Sequence, residues 1–140
     1  MESPQAFIPI DRYYALTDKR ELPDHPQGTA LFADISGSVH LTQLLAENLG
    51  PKRGAEEIAR QLNRVFEALI AEIYAYGGTV VSFSGDAITC WFEGDDAVEY
   101  NGRRATASAL RLQQAILPFQ QIARPSGAAE SLAIKVGVAS

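Results

Sequence analysis

The sequence predicts an α+β domain, a mostly antiparallel sheet with helices on one face. Three observations carry that prediction. Two apolar strand patterns, 79–84 and 87–92, are separated only by Gly85-Asp86, which is hairpin spacing. Three stretches show apolar residues at helical spacing: 39–49, 54–76 and the region after Asp96. Strand patterns at 29–35 and 133–139 flank this set, so the order is strand, helix, helix, strand, strand, helix, strand.

Each element has a local reason. Residues 1–27 carry Pro4, Pro9, Pro23 and Pro26 and no sustained periodicity. They read as an N-terminal arm with one helical turn around 11–16, packing Phe7, Ile8, Tyr13 and Tyr14 on the domain; the other reading is a functional lid. The strand at 29–35 ends on the carboxylate of Asp34, and Ser36-Gly37-Ser38 turns the chain into the first helix. That helix bears Val39, Leu41, Leu44, Leu45 and Leu49 and is stopped by Gly50-Pro51. His40, beside the stripe, reads as a solvated side chain. The helix at 54–76 buries Ile58, Leu62, Val65, Phe66, Leu69, Ile73 and Tyr76. Glu56 and Glu57 suit its positive end, and Gly77-Gly78 supplies a left-handed stop. Asp96 and Glu99 form a capping-box variant before Val98, Ala105, Ala109, Leu112, Ile116 and Phe119, and Pro118 ends that helix. Gly102-Arg103-Arg104 reads as a small solvated basic patch. Residues 124–131 form a polar loop. The last strand has Ile134, Val136 and Val138 on one face and Lys135 on the other. This arrangement is close to the ferredoxin-like plan. The chain stops at Ser140, at or inside that strand, so residues 28–140 are expected to be the N-terminal portion of a larger catalytic domain.

Composition narrows the function. With 140 residues, 46% of them hydrophobic and 21% charged, the chain suits one globular domain. No apolar run approaches the roughly 20 residues of a membrane helix, and Met1-Glu2-Ser3-Pro4 is unlike a signal peptide. The single cysteine, Cys90, cannot form an internal disulfide, so a reducing cytoplasm is the expected setting. A net charge of −5 argues against a general nucleic-acid binder. It also means that an anionic nucleotide would need a metal or local basic residues.

Two places stand out chemically. Leu31-Phe32-Ala33-Asp34-Ile35 runs into a glycine turn and a helix start, a setting for a metal–phosphate ligand. The second, Ser84-Gly85-Asp86, lies between two apolar strands. Taken singly, Asp34 could be a helix cap and Gly85-Asp86 plain turn chemistry. If their strands are neighbours, the carboxylates face each other and can hold Mg²⁺ while leaving room for phosphate oxygens and water. The sequence has no His/Cys cluster for zinc, no Walker A loop, no Rossmann glycine fingerprint and no GxSxG motif. Phosphoryl chemistry through two carboxylates is the constellation that remains.

Phe32-Ala33-Asp34-Ile35-Ser36-Gly37, Arg53-Gly54-Ala55-Glu56, Gly77-Gly78 and Phe83-Ser84-Gly85-Asp86-Ala87, in this order, resemble the class III adenylate/guanylate cyclase catalytic domain. The nearest flavour is the bicarbonate-responsive soluble adenylyl cyclase type and its bacterial relatives, and the resemblance covers about residues 28–140. It implies a two-metal conversion of ATP or GTP to the 3′,5′-cyclic nucleotide and pyrophosphate, with two divalent ions, Mg²⁺ or Mn²⁺, per site. Asp34 and Asp86 match the metal-binding aspartates, and the Ile35 carbonyl matches a backbone metal ligand. The turn Ser36, Gly37, Ser38, Val39 matches the loop that holds the β- and γ-phosphates, and Lys135 a basic residue that reaches the triphosphate.

The resemblance also implies a second cyclase domain. In this family one half supplies the aspartates, and the other a base-selecting lysine, its partner residue, an asparagine and an arginine. The lysine position, four residues before the second aspartate, is here Ser82. Ser38 stands where the family commonly has phenylalanine. The asparagine and arginine are expected beyond Ser140. These departures make the partner domain non-identical, and they keep alive an alternative: a non-catalytic cyclase-homology module for nucleotide binding or regulatory pairing. A diguanylate cyclase is disfavoured, since no GGDEF-type run is present.

Overall fold

The computed structural model describes residues 10–22, 26–94, 98–120, 122–123, 129–130 and 132–140. Helix α1 (Ile10–Thr17) precedes strand β1 (Thr29–Ser36), helices α2 (Ser38–Leu49) and α3 (Pro51–Ala75), strands β2 (Thr79–Ser84) and β3 (Ala87–Phe92), and helix α4 (Val98–Ala115). A 3-10 turn at Leu117–Phe119, the short strands β4 (Ile122–Ala123) and β5 (Ala129–Glu130), and strand β6 (Ala133–Ala139) complete the order.

The expected α+β architecture is present. Strands β2, β3, β1 and β6 form one sheet in that spatial order, every neighbouring pair antiparallel. Helices α3 and α4 lie on one face of it, and α2 packs on α3. Between them lies the core: Leu31, Ala33 and Ile35 from β1, Ile88, Cys90 and Phe92 from β3, Val65, Leu69 and Ile73 from α3, and Leu112 and Ile116 from α4. Burying each large apolar side chain contributes about 1.5–3 kcal/mol, so this face sets the register of the sheet. On the opposite face of the sheet Phe32 is half-exposed; that side is called the open face below.

Several boundaries move for local reasons. α2 starts one residue early, at Ser38, because Gly37 takes a left-handed conformation (φ 95°) and reverses the chain at once. α3 starts at Pro51, not at residue 54: the proline that stops α2 fits the first position of α3. The short strand β5 falls inside the predicted loop at 124–131, where it pairs with β4. Phe7, Ile8 and Asp96 lie outside the described residues, and Glu99 pairs with Arg103 at 2.6 Å. The basic patch is half corrected. Arg103 is exposed, but Arg104 is partly buried and donates to the carbonyls of Tyr76 (3.1 Å) and Glu93 (2.9 Å) and to Asn101 Oδ1 (2.6 Å). A guanidinium with its donors so placed is a clasp between the end of α3 and the start of α4, not a solvated charge.

Candidate functional site

Strand β1 alternates along its length. Thr29, Leu31, Ala33 and Ile35 are buried beneath the helices, so Ala30, Phe32, Asp34 and Ser36 lie on the open face. Pairing register extends this face across the sheet. One row reads Ser84, Ala87, Asp34, Lys135; the next reads Ser82, Thr89, Phe32, Gly137. Lys135 therefore stands directly across from Asp34, and Ser82 one row away on the same face. The bulge at Val81 makes this possible. The register shifts between Val80 and Ser82, and the extra residue turns Ser82 and Ser84 to the open face and Phe83 to the helices, where its ring meets Phe66 edge-on at 5.8 Å.

Asp86 sits in the two-residue turn between β2 and β3. Gly85 takes φ 58° with open space around it, which fits a turn whose first residue must be left-handed. The Ile35 N–H donates to the Asp86 carbonyl at 3.0 Å, which prolongs the β1–β3 ladder into the turn. The same end of the sheet thus carries Asp34, near the end of β1, and Asp86, in the turn that leads into the neighbouring strand β3. Next to them α2 begins. No side chain caps it at Gly37, and its first internal bond runs from Leu41 N–H to the Gly37 carbonyl at 3.0 Å. The amides of Ser38 and Val39 have no acceptor within the helix, and the helix dipole is positive there.

The remaining predicted residues fall around this corner. Ser36 Oγ donates to the Ala133 carbonyl at 3.4 Å, tying β1 to β6. Val39 is exposed beside the turn, and Lys135 is exposed on β6. Ser38 is only 4% exposed, and its hydroxyl donates to Asp86 Oδ2. Sequence reasoning placed Ser38 in a loop of amides and missed this side-chain role. The available signal was the serine itself, standing where the resembled family has phenylalanine.

The oxygens this corner could offer a cation are two carboxylates and a backbone carbonyl, and among the described residues no group of three or more acidic, histidine or cysteine side chains is gathered. All-oxygen donors suit Mg²⁺ or Mn²⁺ and not a structural zinc. A hard cation flanked by free helix-start amides and a lysine is the chemistry of a polyphosphate site. Cys90 offers no nucleophile: it is buried in the core, and burial pushes its thiol up to about 12. Among the described residues no helix is long and apolar enough to cross a membrane.

No family model matches the sequence. Human adenylate cyclase type 10 is 30% identical over 76 residues, 54% of this chain and 5% of that protein. The rat form is 33% identical over 61 residues, 44% of this chain and 4% of that protein. The chain therefore spans only a small part of the curated relatives it matches. Among solved structures, a bacterial light-regulated adenylyl cyclase superposes with a TM-score of 0.71 at 20% identity, over 96% of this chain and 37% of that one. The guanylyl cyclase Cya2 superposes with a TM-score of 0.58 at 25% identity, over 79% of this chain and 51% of that one.

Proposed function

We propose that this chain, a class III nucleotide cyclase domain in fold and in sequence likeness, is the metal-bearing half of a cyclase that converts ATP or GTP to the 3′,5′-cyclic nucleotide and pyrophosphate. The observation that supports the reading is that Asp34, near the end of β1, and Asp86, in the β2–β3 turn, come to one corner of the sheet, where the Ile35 N–H donates to the Asp86 carbonyl.

The roles follow from chemistry. Asp34 and Asp86, with the Ile35 carbonyl, would hold two divalent cations. Bound there, these ions supply Lewis-acid stabilisation as the ribose 3′-hydroxyl displaces pyrophosphate from the α-phosphorus. The amides from Ser36 to Val39 receive the β- and γ-phosphates at the positive end of α2. Lys135, across the strand from Asp34, balances triphosphate charge and keeps the carboxylates from repelling it. The open face, with Phe32 still 49% exposed, is the surface for substrate and for a second, non-identical cyclase domain.

One observation favours a second reading. Ser82 is on the open face but is short and uncharged, so it cannot take the part of a base-reading lysine. A module that binds nucleotide or pairs for regulation without turnover would tolerate this. The two readings separate in the full-length gene product. Asp34→Ala or Asp86→Ala should lower Mg²⁺- or Mn²⁺-dependent cyclic nucleotide formation by at least about a hundredfold, with the fold intact by circular dichroism. Turnover close to that of the parent in either variant overturns the metal assignment, and a parent without cyclase activity favours the module.

A further inference from the structure

We propose that Ser38 is a positioning residue for the Asp86 carboxylate, and that its hydroxyl sets how tightly this domain holds a divalent cation. The inference rests on the metal-site reading above and adds a residue to it. Three observations meet here. Gly37, at φ 95°, reverses the chain so that Ser38 is the first residue of α2. Ser38 is buried at 4% exposure, although it is polar. Its hydroxyl is spent on one acceptor, Asp86 Oδ2.

Asp86 is thereby gripped twice. Its backbone carbonyl is fixed by the Ile35 N–H at 3.0 Å, and its carboxylate by α2 through Ser38. An ionised carboxylate offers about four lone-pair sites. Ser38 occupies one of them on Oδ2 and fixes rotation of the group, which leaves both Oδ1 sites free for a cation. Hydrogen bonds from a hydroxyl to a carboxylate are charge-assisted and directional, so the oxygen is aimed before the cation arrives. A phenylalanine at this position, as in the resembled family, could not donate. The serine is therefore a device of this chain.

The test is Mn²⁺ binding to the 140-residue chain, followed by calorimetric titration, with thermal unfolding measured in chelator as a separate readout. Ser38→Ala should bind Mn²⁺ about ten- to a hundredfold more weakly, with its melting temperature in chelator close to the parent value. Ser38→Thr, which keeps the hydroxyl, should recover most of the affinity. Asp86→Ala is the control for the site itself. If Asp86→Ala abolishes binding while Ser38→Ala binds like the parent, the positioning role is overturned and the metal site stands. If the melting temperature in chelator falls in Ser38→Ala while Mn²⁺ affinity is unchanged, the serine is only a structural cap and the inference fails. If the parent binds no Mn²⁺, or Asp86→Ala binds as well as the parent, the metal-site reading falls and the inference with it.

Discussion

Single side chains divide cleanly between framework and site, and Cys90 shows how. It is wholly buried on the helix-facing side of β3, and desolvation raises its thiol from 9.0 to about 12. The folded state therefore keeps a proton that the unfolded chain gives up above pH 9. Stability from this group is complete below pH 9 and is lost as pH climbs from there toward 12, at about 1.4 kcal/mol per pH unit. Urea unfolding of the parent and of Cys90→Ala at pH 8, 9 and 10 should show the extra fall only in the parent. The same burial should leave the thiol nearly unreactive toward a disulfide reagent at neutral pH until the protein is unfolded. That Asp34 and Asp86 come to one end of the sheet was legible in the sequence, because both carboxylates follow apolar strand patterns. The roles of Ser38 and Arg104 were not, since each depends on a partner more than ten residues away that no spacing rule identifies: Ser38 on Asp86, and Arg104 on Tyr76.

At the scale of elements, the site depends on how closely α2 lies against α3. Gly54 is the point of closest approach: a Cβ there would sit 2.7 Å from the Ala46 nitrogen and 2.8 Å from the Ala46 Cα. Both contacts are backbone, so neither helix can yield by a rotamer change. Gly54→Ala gains about 1 kcal/mol of helix propensity, but overpacking of this kind costs about 1–3 kcal/mol. The expected net effect is a loss of up to about 2 kcal/mol in denaturant unfolding, together with weaker metal binding as the start of α2 moves away from Asp86. The helices and the β2–β3 hairpin were readable from apolar period and glycine placement. The Val81 bulge was not: Val80-Val81 is an unbroken apolar pair, and only the register, with Val80 opposite Cys90 and Ser82 opposite Thr89, shows that one residue is extra. Without that bulge Ser82 would point at the helices, so the open face itself could not be drawn from sequence.

For the whole molecule, the open face is the unfinished side. It carries Asp34, Lys135, Ser82, Ser84 and Thr89 around a half-exposed Phe32. A symmetric pair of such domains would present aspartates twice and a base-reading lysine not at all. On the reading proposed above, an asymmetric pair would resolve this, the partner supplying the lysine and the transition-state asparagine and arginine. The most direct measurement is cyclic nucleotide formation from ATP and GTP with Mn²⁺ by the 140-residue chain, alone and mixed with a cyclase domain that has those three residues but whose two aspartates are changed to alanine. Pairing is verified by native mass. The result expected is little or no product from either domain alone, product from the pair, and none when this chain carries Asp34→Ala and Asp86→Ala; robust product from this chain alone, or from a pair indifferent to those two substitutions, would contradict its role as the metal-bearing half.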